Sequence, residues 1–153
     1  MTTLIIGVDV SKDTLDLAWT TDRNTLDVMG SFKNDPEHFE ALAQAIEKQA
    51  RLQECDTIWL VAEPTGGYER RLACFAHQRG WHVSLPNPRQ VHQWGQGMGK
   101  RSKTDRQDAL LLAQYGLACN PLPWTPMPDE VSLLQCRTRN PSRNPESNRQ
   151  EKV

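Results

Sequence analysis

Two short apolar runs that finish at an acidic residue constrain the fold of this chain more than any other feature. Thr3 to Val10 (TLIIGVDV) carries Asp9 near its end, and Thr57 to Ala62 (TIWLVA) is followed at once by Glu63. Both runs are rich in β-branched residues, which is typical of strands buried on both faces. If these strands are parallel neighbours, Asp9 and Glu63 meet at the sheet edge where ligand sites of α/β proteins lie.

The periodicity of the other segments predicts how this sheet is completed. Further strands are predicted at residues 14–20, 25–33 and 81–85, and helices at about 36–52 and 68–79. The first three strands then form a meander, and the later strands return through helical crossovers. This order predicts an α/β fold of the ribonuclease-H-like class, a mixed five-stranded sheet flanked by helices.

The segment after residue 85 reads differently. Pro86-Asn87-Pro88 opens a stretch with three glycines, Gly95, Gly97 and Gly99, for which we predict a helical turn and then a loop. A last helix is predicted from Thr104, its expected cap, to about Ala118. Asp105 and Asp108 lie in its first turn and, three residues apart, share one helix face.

Four carboxylates therefore form the candidate catalytic and metal-binding site: Asp9, Glu63, Asp105 and Asp108. Crowded carboxylates repel one another unless a cation neutralises them, and Mg²⁺ or Mn²⁺ prefers such oxygen ligands. A metal pair held in this way can stabilise the attacking and the leaving oxygen of a phosphodiester transfer.

Three of these four acids also have a simpler interpretation. Glu63 could cap the following helix, and Asp105 and Asp108 could merely complement a helix N-terminus. Other acids, Asp13, Asp16 and Glu69, are predicted to be solvated. The histidines His38, His77, His82 and His92 show no metal-ligand spacing, so none of them is assigned to the site.

Any contact with nucleic acid must come from a local cluster, because the formal net charge is only −1. The segment 89–106 is that cluster. Its candidate nucleic-acid-binding residues are Arg89, Trp94, Lys100, Arg101, Lys103 and Arg106. Lys and Arg would neutralise phosphates while Trp94 stacks on a base. The alternative is a solvated loop whose tryptophan belongs to the core.

A length of 153 residues suits one domain, which we predict over residues 1–119. Residues 120–153 are predicted to be a Pro-rich linker and a disordered tail, since 137–152 contain no apolar residue. The four cysteines are scattered without a Cys-x-x-Cys pair, so the sequence indicates neither a zinc knuckle nor a disulfide framework and favours buried reduced thiols. No apolar run approaches the roughly 20 residues of a membrane span, so a cytoplasmic location without a membrane partner is predicted.

Four motifs recur together in one known family: IGVDVSKD at 6–13, AEPTGGYE at 62–69, NPRQVHQW at 87–94 and GKRSKTDRQDALLLA at 99–113. In this order, over about two-thirds of the chain, they resemble the Piv-like DEDD transposases of the one-ten insertion-sequence family. The resemblance implies an N-terminal RuvC-like domain that binds Mg²⁺ through Asp9, Glu63, Asp105 and Asp108 and cleaves and joins DNA strands during transposition.

The resemblance also implies partners and a larger protein. Members of the family act on DNA, assemble into homo-oligomers, use a structured guide RNA, and carry a second domain with a nucleophilic serine. The sequence departs from the family near residues 134–137, where it turns into RTRNPSRNP. A truncation or frameshift at this point is the hypothesis that the departure suggests, and it predicts an incomplete copy of the transposase.

Two other functions compete with this interpretation. A non-catalytic remnant would bind nucleic acid through Arg89, Lys100, Arg101 and Lys103, whatever the state of the four acids. A sugar-kinase-like or actin-like ATPase also opens with a strand and hairpin that place an Asp beside phosphate. That fold normally needs a second phosphate-binding hairpin and a far longer chain.

Overall fold

The computed structural model describes residues 2–22, 24–99 and 105–127, without the side chains of 105–107. Its strands are Thr3–Val10 (β1), Thr14–Asp22 (β2), Thr25–Lys33 (β3), Thr57–Ala62 (β4) and His82–Ser84 (β5). Its helices are Pro36–Leu52 (α1), Arg70–Gln78 (α2), Pro88–Gly97 (α3) and Asp105–Cys119 (α4).

The five strands form one mixed sheet in the order β3-β2-β1-β4-β5. The first three strands pair antiparallel, whereas β1, β4 and β5 run parallel to one another. The meander and the two parallel additions were both predicted, and the mixed five-stranded α/β sheet is confirmed.

The central strand β1 is buried on both faces, as its apolar run predicts. Alternate residues of a strand point to opposite sides. On one side Leu4, Ile6 and Val8 join the main core, together with residues of α1 and α2. On the other side Ile5 joins a second apolar cluster with Val61 of β4 and residues of α3 and α4. The site described below lies at the end of this second side.

Helix α3 is longer than the predicted turn and loop, so that prediction was wrong. The Asn87 side chain caps the helix by accepting from the Arg89 backbone N–H at 2.8 Å, and Pro88 begins its first turn. Gly95 is buried inside it, and a Cβ there would lie 3.1 Å from the Leu111 side chain. This glycine permits close packing against α4 rather than breaking the helix.

Residues after α4 return to the edge of the sheet. The Trp124 backbone N–H donates to the Val83 carbonyl at 2.7 Å, and the Ser84 hydroxyl donates to the Pro121 carbonyl at 3.2 Å. The half-buried Trp124 ring packs against the main core. The first part of the predicted linker thus lies along β5, while the predicted tail at 128–153 lies outside the described residues, as does the predicted cap Thr104.

Cysteine burial follows the prediction only in part. Cys74 is buried and Cys55 is half-buried, but Cys119 is exposed at the end of α4, so the buried-thiol prediction was wrong there. All three are free thiols, and Cys136 lies outside the described residues. Within the part of the chain that the structure describes, no helix is long and apolar enough to cross a membrane.

Candidate active site at the acidic edge of the sheet

Asp9 and Glu63 are brought side by side by the pairing of β1 with β4. The last register pair of these parallel strands is Val8 with Ala62, so each acid is the next residue along its own strand. Both occupy the odd positions that face α4, in line with Ile5 and Val61. Their arrival at one sheet edge follows from two short apolar strands in parallel register.

Helix α4 lies directly over this face, and two glycines allow its close approach. A Cβ on Gly7 would stand 2.1 Å from the Ala109 carbonyl oxygen and 2.4 Å from the Ala113 backbone nitrogen. Farther along the helix, a Cβ on Gly116 would stand 2.8 Å from the Val61 side chain and 3.0 Å from that of Ile5. The helix therefore runs opposite to β1, and its first turn lies toward the end that carries Asp9.

That first turn contains the other two predicted acids. Asp105 is the first residue of α4 and Asp108 follows one turn later, half-buried. Asp108 is close enough to raise the pKa of Glu63. The side chain of Asp105 lies outside the described part of the structure. We call this end of the sheet, with Asp9, Glu63 and the first turn of α4, the acidic edge.

The Glu63 carboxylate has a pKa that is shifted by its surroundings at this edge. Its side chain is 22% exposed, and burial is the main cause that raises its pKa above the ordinary value of 4.5. His92 opposes this shift with its Nε2 atom 3.5 Å from Glu63 Oε1, whereas Asp108 adds to it. Glu63 thus lies between an imidazole from α3 and a carboxylate from α4.

The structure separates two roles that the sequence left open for Glu63. Helix α2 begins directly after Glu69. The Glu69 carboxylate also binds the turn before the helix, because it accepts a hydrogen bond from the Thr65 backbone N–H at 2.7 Å. Glu63 contributes only its backbone carbonyl, which accepts from the Thr65 hydroxyl at 3.2 Å. The Glu63 side chain is therefore not the helix cap.

Glu69 itself was predicted to be solvated, and this was wrong. It is 5% exposed, because the turn at 64–67 folds over it and a backbone N–H binds its carboxylate. Asp16 is half-buried and accepts a hydrogen bond from the Ser31 hydroxyl, whereas Asp13 is exposed as predicted.

The side chains that the structure describes do not form a complete set of metal ligands. Among them, with that of Asp105 outside the description, no three His, Cys, Asp or Glu side chains are close enough to hold one metal ion. Asp108 nevertheless lies close enough to Glu63 to contribute to the raised pKa of that carboxyl. Asp9, Glu63 and the start of α4 lie at one edge of the sheet.

The predicted basic cluster is described only in part. Arg89 is exposed in the first turn of α3. Trp94 is half-buried with its ring edge-on to Tyr115 at 5.6 Å, within the second apolar cluster, as the alternative interpretation of this residue expected. Lys100, Arg101 and Lys103 lie outside the described residues, and of Arg106 only the backbone in α4 is described.

His92 is the site residue that sequence reasoning missed. It was considered for metal-ligand spacing alone, which a single histidine cannot show. The available signal was its place in the predicted turn after Pro86-Asn87-Pro88, next to the buried Val91. In the structure, helix α3 places the His92 imidazole 3.5 Å from the Glu63 carboxylate.

Comparison with known proteins agrees with this geometry. A family model for DEDD transposases of the IS110 type, described as a transposase, matches residues 6–142. Curated relatives include the pilin gene-inverting proteins of Moraxella lacunata, 38% identical over 134 residues, and of Moraxella bovis, 37% identical over 137 residues. Each match covers 87% of this chain but 40% of the relative, so the chain spans less than half of their length.

A solved structure shows the same fold. The RuvC protein of T. thermophilus, in complex with a Holliday junction substrate, superposes with a TM-score of 0.52 at 13% identity. The match covers 80% of this chain and 99% of that chain. The predicted RuvC-like, ribonuclease-H-like class of the fold is confirmed.

Proposed function

The chain belongs to the DEDD transposase family, and on that premise we propose that it is the metal-dependent domain that cleaves and transfers DNA strands in an insertion-sequence transposase. One observation supports this proposal above others. Asp9 and Glu63 leave adjacent parallel strands at the edge that faces the first turn of α4, where Asp108 acts electrostatically on Glu63. Residues distant in sequence are thus gathered at one place.

The chemistry of these side chains fits a divalent cation. Asp9, Glu63, Asp105 and Asp108 offer only oxygen donors, which Mg²⁺ and Mn²⁺ prefer. Burial raises the pKa of Glu63 and so disfavours its charged form, and a bound cation would offset this effect. A metal held there would supply Lewis-acid stabilisation to the oxygens of the phosphodiester that is exchanged.

The residues of the chain would have separate tasks in this reaction. The four carboxylates hold the cation, and rigid attachment to β1, β4 and α4 fixes their spacing. His92 keeps the Glu63 carboxylate turned toward the edge through the 3.5 Å contact. Arg89 with the basic residues Lys100, Arg101, Lys103 and Arg106 would neutralise the DNA backbone, and Trp94 would support this surface from the apolar cluster.

The proposed partners of the whole transposase extend beyond this domain. DNA is the substrate of the transposase, a structured RNA guides the protein to it, and the protein assembles into homo-oligomers. These proposals rest on membership of the family. A cytoplasmic location follows from the substrate, because bacterial DNA lies in that compartment.

Calorimetric titration with Mn²⁺ and with Mg²⁺ tests the metal site directly. Asp9→Asn and Glu63→Gln should each weaken binding at least tenfold, since each removes a charged oxygen ligand. Asp56→Asn is the matched control, because Asp56 is an exposed acid just before β4, at the opposite edge of the sheet. Equal affinity in the wild type and Asp9→Asn would contradict the proposal.

Cleavage of supercoiled DNA separates an enzyme from a binding remnant. The proposal expects Mg²⁺-dependent nicking that Asp9→Asn and Glu63→Gln abolish while DNA affinity persists. DNA binding without metal binding would instead support the non-catalytic alternative.

A further inference from the structure

A cavity lies near the acidic edge, on the side of the sheet that carries α1 and α2. It has a volume of about 660 Å³. The residues around it come from the turn after β1, the end of β3, the start of α1 and the region of α2: Lys12, Asp13, Thr14, Lys33, Asn34, Asp35, Tyr68 and Arg71. None of these residues was assigned a function from the sequence.

Three cations around this cavity have no ion-pair partner among the described residues. Lys12, Lys33 and Arg71 are exposed and form no salt bridge with any residue that the structure describes. Of the two acids beside them, Asp35 already caps α1 by accepting from the Glu37 backbone N–H and lies 3.7 Å from His38. The positive charge is therefore available to a ligand.

Asn34 connects the cavity to the acidic edge. Its side-chain amide donates to the Ser11 carbonyl at 2.8 Å and to the Tyr68 carbonyl at 3.1 Å. It thereby ties the loop after Asp9 to the loop after Glu63. The Asn34 Oδ1 atom is buried and has no hydrogen-bond partner among the described protein groups, so it can accept from a ligand N–H.

The acidic edge and the cavity are close enough for one DNA strand to contact both. Lys12 follows Asp9 by three residues, which is at most about 10 Å of extended chain. Phosphates along one DNA strand recur every ~3.4 Å of helix axis. A strand whose scissile phosphate lies at the acidic edge therefore reaches the cavity within a few nucleotides.

We infer that Lys12, Lys33 and Arg71 form a second phosphate-binding site, which holds the DNA backbone a few nucleotides away from the acidic edge. This inference rests on the proposed function for its ligand. Tyr68, exposed at the rim, would stack on a base of the same strand.

The salt dependence of DNA binding tests this site. The full chain is titrated onto a duplex oligonucleotide at several salt concentrations, as the wild type and as Lys33→Ala with Arg71→Ala. Loss of two phosphate contacts should lower the slope of log affinity against log salt by about 1.8 and weaken binding about tenfold. The control is Lys48→Ala with Arg51→Ala, an exposed Lys and Arg on α1, which should leave the slope unchanged.

The outcomes separate this inference from the proposed function. A cavity variant that matches the control overturns the second site and leaves the proposed function intact. A wild type without DNA affinity at low salt overturns both. If the cavity variant loses affinity only for a single-stranded RNA of the same length, the surface serves RNA and the DNA assignment is wrong.

Discussion

Glu63 illustrates how a functional side chain can oppose the stability of its own fold. The residue continues a buried strand, so its carboxylate emerges into a space already reached by Asp108 and partly closed to water. His92 offsets only part of this, since the pKa of Glu63 stays raised. A site built to bind a cation is expected to reduce the stability of the metal-free fold in this way.

Glu63→Gln should therefore stabilise the metal-free protein at pH 8. The ionised form of Glu63 is disfavoured in the folded state. The resulting loss of folding stability is therefore complete at pH values above the raised pKa of the folded protein. The penalty vanishes below 4.5, where the acid is protonated whether the chain is folded or unfolded. We expect the variant to be more stable than the wild type at pH 8 and equal to it near pH 4, as measured by urea unfolding in the presence of a chelator.

Metal supplies the control for this prediction. With excess Mn²⁺ the order should reverse, because only the wild type gains binding energy from the ion. A variant that is less stable than the wild type at pH 8 in chelator would contradict the argument.

At the residue scale, the sequence predicts where the side chains at the ends of regular strands lie. It does not predict the position of side chains that depend on the path of a turn or on the start of a helix. Asp9 and Glu63 follow apolar runs, so their convergence depends only on strand order. The burial of Glu69 depends on the path of the turn at 64–67, and the contact of His92 depends on where α3 starts. Neither path has a periodic signal.

At the scale of elements, the contact between α4 and β1 decides whether the acidic edge can form. Gly7 is required there because the helix backbone itself fills the space above it. Gly7→Ala should destabilise the fold by about 3 kcal/mol or more, since a rigid helix must move to admit the methyl group. The measurement is urea unfolding of the full chain.

Gly97→Ala is the matched control, because a Cβ at that helical glycine meets nothing within 4 Å. It should leave stability unchanged or raise it by up to about 1 kcal/mol, as alanine favours helix. Equal effects of the two substitutions would show that α4 does not pack as closely as described.

Helices α1 and α2 are joined by one arginine. Arg79 donates to both carboxylate oxygens of Glu47 at 2.8 and 2.9 Å and to Glu40 at 2.8 Å, and it lies over the Phe75 ring. Arg79 lowers the pKa of Glu47 below 4.5. Arg79→Ala should cost about 1 kcal/mol at pH 7, near the upper limit for a partly exposed pair.

The pH dependence identifies the cause of that loss. A carboxylate with a lowered pKa stabilises the fold above 4.5, and this contribution disappears as the pH falls through the folded pKa. The difference between the wild type and Arg79→Ala in denaturant unfolding should thus shrink toward pH 3. Lys48→Ala, on the exposed face of α1, should show no such trend.

Most elements were predictable because their apolar periodicity is strong, as in β1, β4 and α1. Helix α3 was not, because its three glycines suggest a loop when burial is unknown. In the structure Gly95 serves the packing of Leu111, and the Asn87 cap with Pro88 defines the start. Tertiary contact overrides local propensity at this element.

At the scale of the whole molecule, the parallel side of the sheet ends in a very short strand. β5 has three residues, and an open edge of this kind invites pairing with other chains. The segment after α4 covers it through the bonds of Trp124 to Val83 and of Ser84 to Pro121. The domain predicted to end at residue 119 would therefore lack part of its own edge.

We expect a chain ending at Cys119 to be less stable than one ending at Met127 by about 1–2 kcal/mol, since the half-buried Trp124 and its backbone bond are lost. Urea unfolding with light scattering measures both stability and association through the freed edge. Trp124→Ala in the full chain should reproduce most of the stability loss without the association, because the backbone of residues 120–127 still covers β5. If the two truncated chains unfold at the same urea concentration, the folded unit ends with α4 and this segment is only a linker.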